Sequence, residues 1–250
     1  MKLLVINPNT SESVSDLIRS EARRAAYGDT EIVVRTAPYG VEYIETRFES
    51  LIAAGAIAQL IAEDHADVDG IVIAAFGDPG LPALKELVDI PVVGITEAAL
   101  CTAVLQGTRF SIVAISNRIQ AWYRECVGTY GLGSRLASIR SLEDPLNDIG
   151  TVQDDFSDPL LRLANKVVDE DAADVVILAG APLAGLARSL GGRIPVPVVD
   201  GISAGVKQCE ALVALTTGTH QKGSLSRPPQ KNNIGLSPEI LRALNTRPQR

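Results

Sequence analysis

The sequence holds 250 residues, of which 46% are hydrophobic, 21% charged and only 4% aromatic; this balance excludes disordered and collagen-like chains and suits one large domain or two small ones. A net charge of −7 works against nucleic-acid and anionic-membrane partners, because either would repel a surface of the same sign. Three cysteines without a CxxC, and two histidines, are too few for a disulfide framework or a Cys/His zinc site. A carboxylate metal site stays open on these counts, but no metal ligand and no cofactor is assigned. The first strand-like run, Leu3 to Ile6, is four residues long, far short of a signal-peptide core of about 7 to 15 residues, and no span approaches the roughly 18 apolar residues of a membrane helix. A soluble cytoplasmic protein is expected.

Short apolar, β-branched runs recur along the chain, each closed by Gly, Pro, Asn or Asp and followed by a segment of helical periodicity. The expected strands are Lys2 to Asn7, Glu31 to Thr36, Gly70 to Phe76, Pro91 to Ile95, Phe110 to Ile115, Ala137 to Arg140, Asp174 to Gly180 and Val196 to Asp200. Helices fill the gaps, among them Ser11 to Ala26, with Ser and Glu at capping positions, and Ile44 to His65, with an Ala/Ile/Leu face. Such alternation implies an α/β fold with mainly parallel sheets.

The segment DGIVIAAFGDPGL at residues 69–81 matches DVVILAGAPLAGL at 174–186 in step, which sets Ala75 against Gly180. Further pairs lie downstream, at Ile90 to Gly94 and Ile194 to Gly201. The expected organisation is therefore two pseudo-symmetric half-domains, each with a four-stranded sheet flanked by helices, over residues 1–105 and 106–215. The last helix of the first half is allowed to cross over. Ligands of such sheets bind beyond the carboxyl ends of the strands, which places a cleft between the halves. Residues 216–250 turn to Gly, Ser, Pro, Lys and Arg; they read as a strap ending in a short helix capped by Ser237, packed on the body or on a neighbouring subunit.

Five motifs carry a resemblance: INPNTS at residues 6–11, FGDPG at 76–80, APLAGLA at 181–187, PVVDG at 197–201 and GLSP at 235–238. In order and spacing they resemble the hydantoin and allantoin racemases of the aspartate/glutamate racemase superfamily, from end to end of the chain. The resemblance implies a cofactor-independent homo-oligomer acting on a small molecule, in which two cysteines, one per half, flank the substrate carbon and exchange its proton. Those positions fall on Ala75 and Gly180, and neither side chain carries a proton. Cys101, Cys126 and Cys209 read as helical positions and as buried small hydrophobes. Losing a general base typically costs about 10²- to 10⁴-fold in rate. The backbone N–H groups of Phe76, Gly77 and Ala181, at helix starts, remain candidate donors to an enolate oxygen.

Among replacement acids and bases, Asp78 ranks first, three residues beyond Ala75 in a Gly-Asp-Pro-Gly turn, and its plainer role is a turn or helix cap. Glu97 and Asp200, at other strand ends, are second-rank candidates whose plainer role is to cap a helix or pair with a base. Tyr43 and Glu45 precede the long helix, where a phenol and a carboxylate can face the cleft; first-turn placement accounts for Glu45 equally well. Asn7, Asn9 and Thr10, with Ser116 and Asn117 in the second half, offer amides and hydroxyls to a ureido or imide edge, or else form an Asx turn and cap. Ala75, Gly180 and Pro182 complete the expected pocket lining. His65 reads as a solvated helix-end residue, and His220 lies in the tail. Three functions follow: an isomerase-like enzyme on a cyclic ureide or imide, a hydrolase or lyase using carboxylate-activated water, or a ligand-binding relative without catalysis.

Overall fold

The computed structural model describes residues 1–143, 146, 148–216, 218 and 222–245. The first sheet and its helices run β1 (Lys2–Asn7), α1 (Glu12–Ala25), β2 (Glu31–Thr36), α2 (Arg47–Asp64), β3 (Gly70–Ile73), α3 (Leu81–Leu87), β4 (Val92–Gly94) and α4 (Ile95–Gln106). The second repeats the scheme with β5 (Phe110–Ala114), α5 (Gln120–Thr129), β6 (Leu136–Ser141), α6 (Val152–Asp171), β7 (Val175–Leu178), α7 (Leu186–Ser189), β8 (Val198–Asp200) and α8 (Gly201–Leu215). A last helix, α9, spans Pro238–Asn245. The strand orders are β2-β1-β3-β4 and β6-β5-β7-β8, with every neighbour parallel. The inner strands β1, β3, β5 and β7 are buried almost throughout, because helices cover both faces of a parallel sheet.

Strand register makes the internal repeat concrete. Ile6 pairs with Ile73 in one sheet and Val113 with Leu178 in the other. The next amides, of Ala74 and Ala179, donate to Ile6 O at 2.8 Å and to Val113 O at 2.9 Å. Ala75 and Gly180 follow at matched places, one residue past the last sheet hydrogen bond. Both strands end earlier than the apolar runs imply, at Ile73 and Leu178. Their outer partners β4 and β8 are only three residues long, so nothing remains to pair with beyond Gly94 and Asp200.

The two halves exchange helices. Helix α4 leaves the first sheet and packs on β7 and β8, α8 packs on β3 and β4, and the two helices lie against each other. Gln208 Nε2 donates to Ala98 O at 2.9 Å and to Thr102 Oγ1 at 2.8 Å across that contact. A single core cluster therefore holds Val72 and Val93 together with Ile177 and Val199. Cys209 is buried in it and Cys126 is half-buried, but Cys101 is exposed, contrary to its expected burial.

Helix α2 begins at Arg47, three residues later than the apolar pattern implies, because Thr46 and Glu49 form a capping box: Glu49 N donates to Thr46 Oγ1 at 3.2 Å and Thr46 N to Glu49 Oε2 at 2.8 Å. The tail lies on the body. Ala243 of α9 is buried beside α2, Ser237 donates to Gln59 Oε1 at 2.7 Å and accepts from Ile240 N at 3.3 Å, and Arg227 pairs with Asp89 at 3.0 Å. His220 lies outside the described residues. Among them, no helix is long and apolar enough to cross a membrane. Thr46→Ala should lower unfolding free energy by about 1 kcal/mol, read as a shifted urea midpoint at constant slope; an unchanged midpoint would show the box to be idle.

Candidate active site

Past the ends of β3 and β7 stand the matched residues Ala75 and Gly180. Ala75 is half-buried, and the adjacent Phe76 ring meets Tyr123 at 4.7 Å between centroids. Gly180 has φ +114, a conformation L side chains rarely adopt, so its backbone as well as its missing side chain departs from a cysteine site. Of the expected oxyanion donors, Gly77 N–H is already committed to Thr96 Oγ1 at 2.6 Å. Ala181 and Pro182 are buried in a short 3₁₀ turn whose Pro182 carbonyl accepts from Gln153 Nε2 at 2.9 Å.

The three carboxylates expected to carry protons are engaged elsewhere. Asp78, at φ +46 and nearly buried, accepts from Thr96 N at 2.9 Å, Glu97 N at 2.8 Å and the Tyr130 hydroxyl at 2.6 Å, so it caps α4 from a distance in sequence. Asp200 accepts from Ser203 N at 3.0 Å and from Gly185 N at 2.6 Å, which makes it the cap of α8. Glu97 is paired with Lys85 through both oxygens at 2.7 Å. Gly94 and Asp200 are register equivalents, and a Cβ at Gly94 would overlap the Asp78 carboxylate. Each half thus buries one carboxylate at its helix N-terminus, supplied by the β3 loop in the first and by the end of β8 in the second.

The amide cluster is likewise structural at its centre. Asn7 is fully buried and donates from Nδ2 to Asn9 Oδ1 and Ser15 Oγ, both at 2.9 Å. Asn9 Oδ1 accepts from Ser11 N at 2.9 Å, and Ser116 Oγ accepts from Arg118 N at 3.2 Å in the same two-residue turn, which makes Asn9 and Ser116 counterparts. Thr10 N donates to Val41 O at 3.0 Å and ties the loop between β2 and α2 to this turn.

That loop and its counterpart between β6 and α6 reach across the crevice. Glu45 accepts a hydrogen bond from the Ser116 hydroxyl, joining the first half to the second, while a Cβ at Gly150 would collide with Ser13 Oγ of the first half. The offset that takes Ala75 to Gly180 also takes Tyr43 to Asp148 and Glu45 to Gly150. Two cavities flank Tyr43 and Leu146. One, of about 570 Å³, is lined by Thr10, Ser11, Ser13, Glu12, Glu42 and Asp148; the other, of about 460 Å³, by Glu45, Ser116, Asn117, Arg118 and Glu143. Among the described residues five acids and a single arginine line the pair, so a dianion would meet repulsion and a neutral molecule would not. Among the described residues, no His/Cys/Asp/Glu cluster is arranged to hold a metal.

Sequence reasoning placed Tyr43, Thr10 and Ser116 at this opening but missed Glu12, Glu42 and Asp148, and missed the Glu45–Ser116 bond. The residue offset between the two halves was the available signal for Asp148. Nothing in hydrophobic periodicity announces a loop that crosses to the other half.

Burial outweighs the three donors at Asp78 and pushes its carboxyl up to about 6 from an ordinary 3.8. Because the folded value lies above the unfolded one, the native state binds this proton more tightly. Its contribution is full below about pH 4 and is lost as pH rises through about 6, an effect of roughly 3 kcal/mol. The stability of the parent relative to Asp78→Asn should therefore rise as pH falls from 7 to 4 in urea titrations. Parallel curves would contradict the burial argument.

A family model described as Asp/Glu/Hydantoin racemase matches residues 3–209. The hydantoin racemase of Paenarthrobacter aurescens is 35% identical over 241 residues, covering 94% of this chain and 100% of that protein. That of Pseudomonas sp. strain NS671 is 34% identical over 236 residues, covering 94% and 95%. The solved allantoin racemase from Klebsiella pneumoniae superposes with a TM-score of 0.90 at 36% identity, over 96% of this chain and 98% of that one. The matches span both halves and both exchanged helices, and on that ground the chain belongs to the Asp/Glu/hydantoin racemase family.

Proposed function

We propose that this racemase-family enzyme acts on a small, uncharged cyclic ureide or imide, such as a 5-substituted hydantoin or an allantoin-like ring, by moving a proton at the carbon beside a carbonyl. The observation that carries this reading is the acid-lined crevice with its single arginine, set at the strand ends of a fold shared end to end with proteins named hydantoin and allantoin racemases. An amino dicarboxylate needs cationic partners for its carboxylates, and among the described residues this lining offers Arg118 alone. In this reading the protein works in the cytoplasm as a homo-oligomer, without a cofactor. Asp78, Asp200 and Glu97 fix the strand-end loops and helix starts, and Ala75 and Gly180 give room to the ring.

A second reading has its own support: with no thiol at Ala75 or Gly180 and a carboxylate at the opening, Glu45 activates water for ring opening. The two are separated by incubating single enantiomers of several 5-substituted hydantoins and of allantoin with the protein in D₂O. The racemase reading predicts optical decay with deuterium uptake and unchanged mass otherwise, and no exchange in L-aspartate or L-glutamate. A ring-opened product would favour the hydrolase. Exchange confined to the amino dicarboxylates would defeat the electrostatic argument.

A further inference from the structure

Tyr43 carries the one buried side-chain polar atom that has no hydrogen-bond partner among the described residues. An unpaired buried hydroxyl costs stability, so a position that keeps one calls for an explanation. Its surroundings offer one. Tyr43 lines both cavities with its hydroxyl buried in the wall between them, and burial together with the neighbouring Glu45 and Glu49 holds the phenol well above the ordinary tyrosine value, so it stays protonated as a hydrogen-bond donor. Glu45, two residues on, lines the same 460 Å³ cavity. One of its oxygens accepts from Ser116 across the crevice, and the other accepts no hydrogen bond among the described residues. Tyr123, tilted against the Phe76 that follows Ala75, is held well above the ordinary tyrosine value by burial first, with Tyr43 and Glu45 adding to it. An oriented carboxylate and an unsatisfied donor therefore sit together on the wall of this crevice, and the Tyr123 near them packs on Phe76, the neighbour of Ala75.

We propose that Tyr43 and Glu45 are the substrate-contacting pair of this crevice: the Tyr43 hydroxyl donates to a carbonyl oxygen of the bound ring, and the Glu45 carboxylate, steadied by Ser116, takes the proton from the adjacent carbon. The C–H bond breaks, its electron pair moves into the bond toward the carbonyl carbon, and the carbonyl π pair moves onto the oxygen held by Tyr43. An O–H bond forms on Glu45. Return of the proton from Glu45 restores the starting enantiomer, deuterated once the Glu45 acid has exchanged with D₂O; inversion follows when water in the crevice protonates the opposite face of the planar enolate and Glu45 then gives its proton back to water, and no oxidant or reductant enters. The assignment deepens the racemase reading and rests on it.

The test compares the parent, Tyr43→Phe, Glu45→Gln and Ser116→Ala for deuterium uptake into the hydantoin that the parent exchanges fastest, together with thermal unfolding of each. Tyr43→Phe removes an unpaired hydroxyl, so its melting temperature should be unchanged or higher while kcat for exchange falls about 10²-fold; a merely structural tyrosine would not give that split. Glu45→Gln should lower exchange by about 10²- to 10⁴-fold, and Ser116→Ala by less, through loss of orientation. Folded Tyr43→Phe and Glu45→Gln proteins that exchange within about threefold of the parent would overturn the pair and leave the racemase reading standing. A parent inert toward every ureide would overturn both.

Discussion

Everything at the crevice depends on two buried carboxylates holding the N-termini of two exchanged helices. Asp78 caps α4 and Asp200 caps α8, and each helix crosses to cover the other half's sheet. Neither cap can be lost cheaply, since a buried helix end without partners leaves several N–H groups unsatisfied. The caps also fix the loops after β3 and β7, through Asp78 itself in one half and through the Asp200–Gly185 bond in the other. The spacing of Ala75 and Gly180 is thereby set by the fold, whatever side chains stand there.

That constraint lets the scaffold stand without a proton-carrying side chain at either strand end. Sheets, caps and exchanged helices are independent of the two strand-end side chains, so replacement by Ala75 and Gly180 leaves the crevice standing. In the proposed assignment the proton moves through the loop between β2 and α2, which is joined to the second half by the Glu45–Ser116 bond. Charge follows the same division: the interior carboxylates are consumed by backbone donors, while those at the opening remain exposed and set the sign of what approaches.

Much of the fold was legible in the sequence because parallel, buried strands leave a strong mark. The apolar runs at Leu3 to Ile6 and Ile71 to Ile73, and the repeat pairing Ala75 with Gly180, located both sheets and the crevice. Strand ends were read too long where the apolar run outlasts a three-residue neighbour, as at Ala74 to Phe76. The site was less legible. An aspartate in a Gly-Asp-Pro-Gly turn looks the same whether it faces a ligand or caps a helix almost twenty residues downstream, and only the contact with Thr96 N distinguishes them. Cys101 was misplaced for a related reason: an apolar helix between two sheets still has an outer side. Glu45 meets Ser116 through tertiary structure alone.

A crystal structure with a non-reacting cyclic imide bound is the most direct test of the account. It predicts the ring between Ala75 and Gly180, with one carbonyl oxygen within about 3.2 Å of the Tyr43 hydroxyl and the Glu45 carboxylate beside the ring carbon. A ring bound away from those two strand ends, or one that leaves the Tyr43 hydroxyl without a partner, would contradict it.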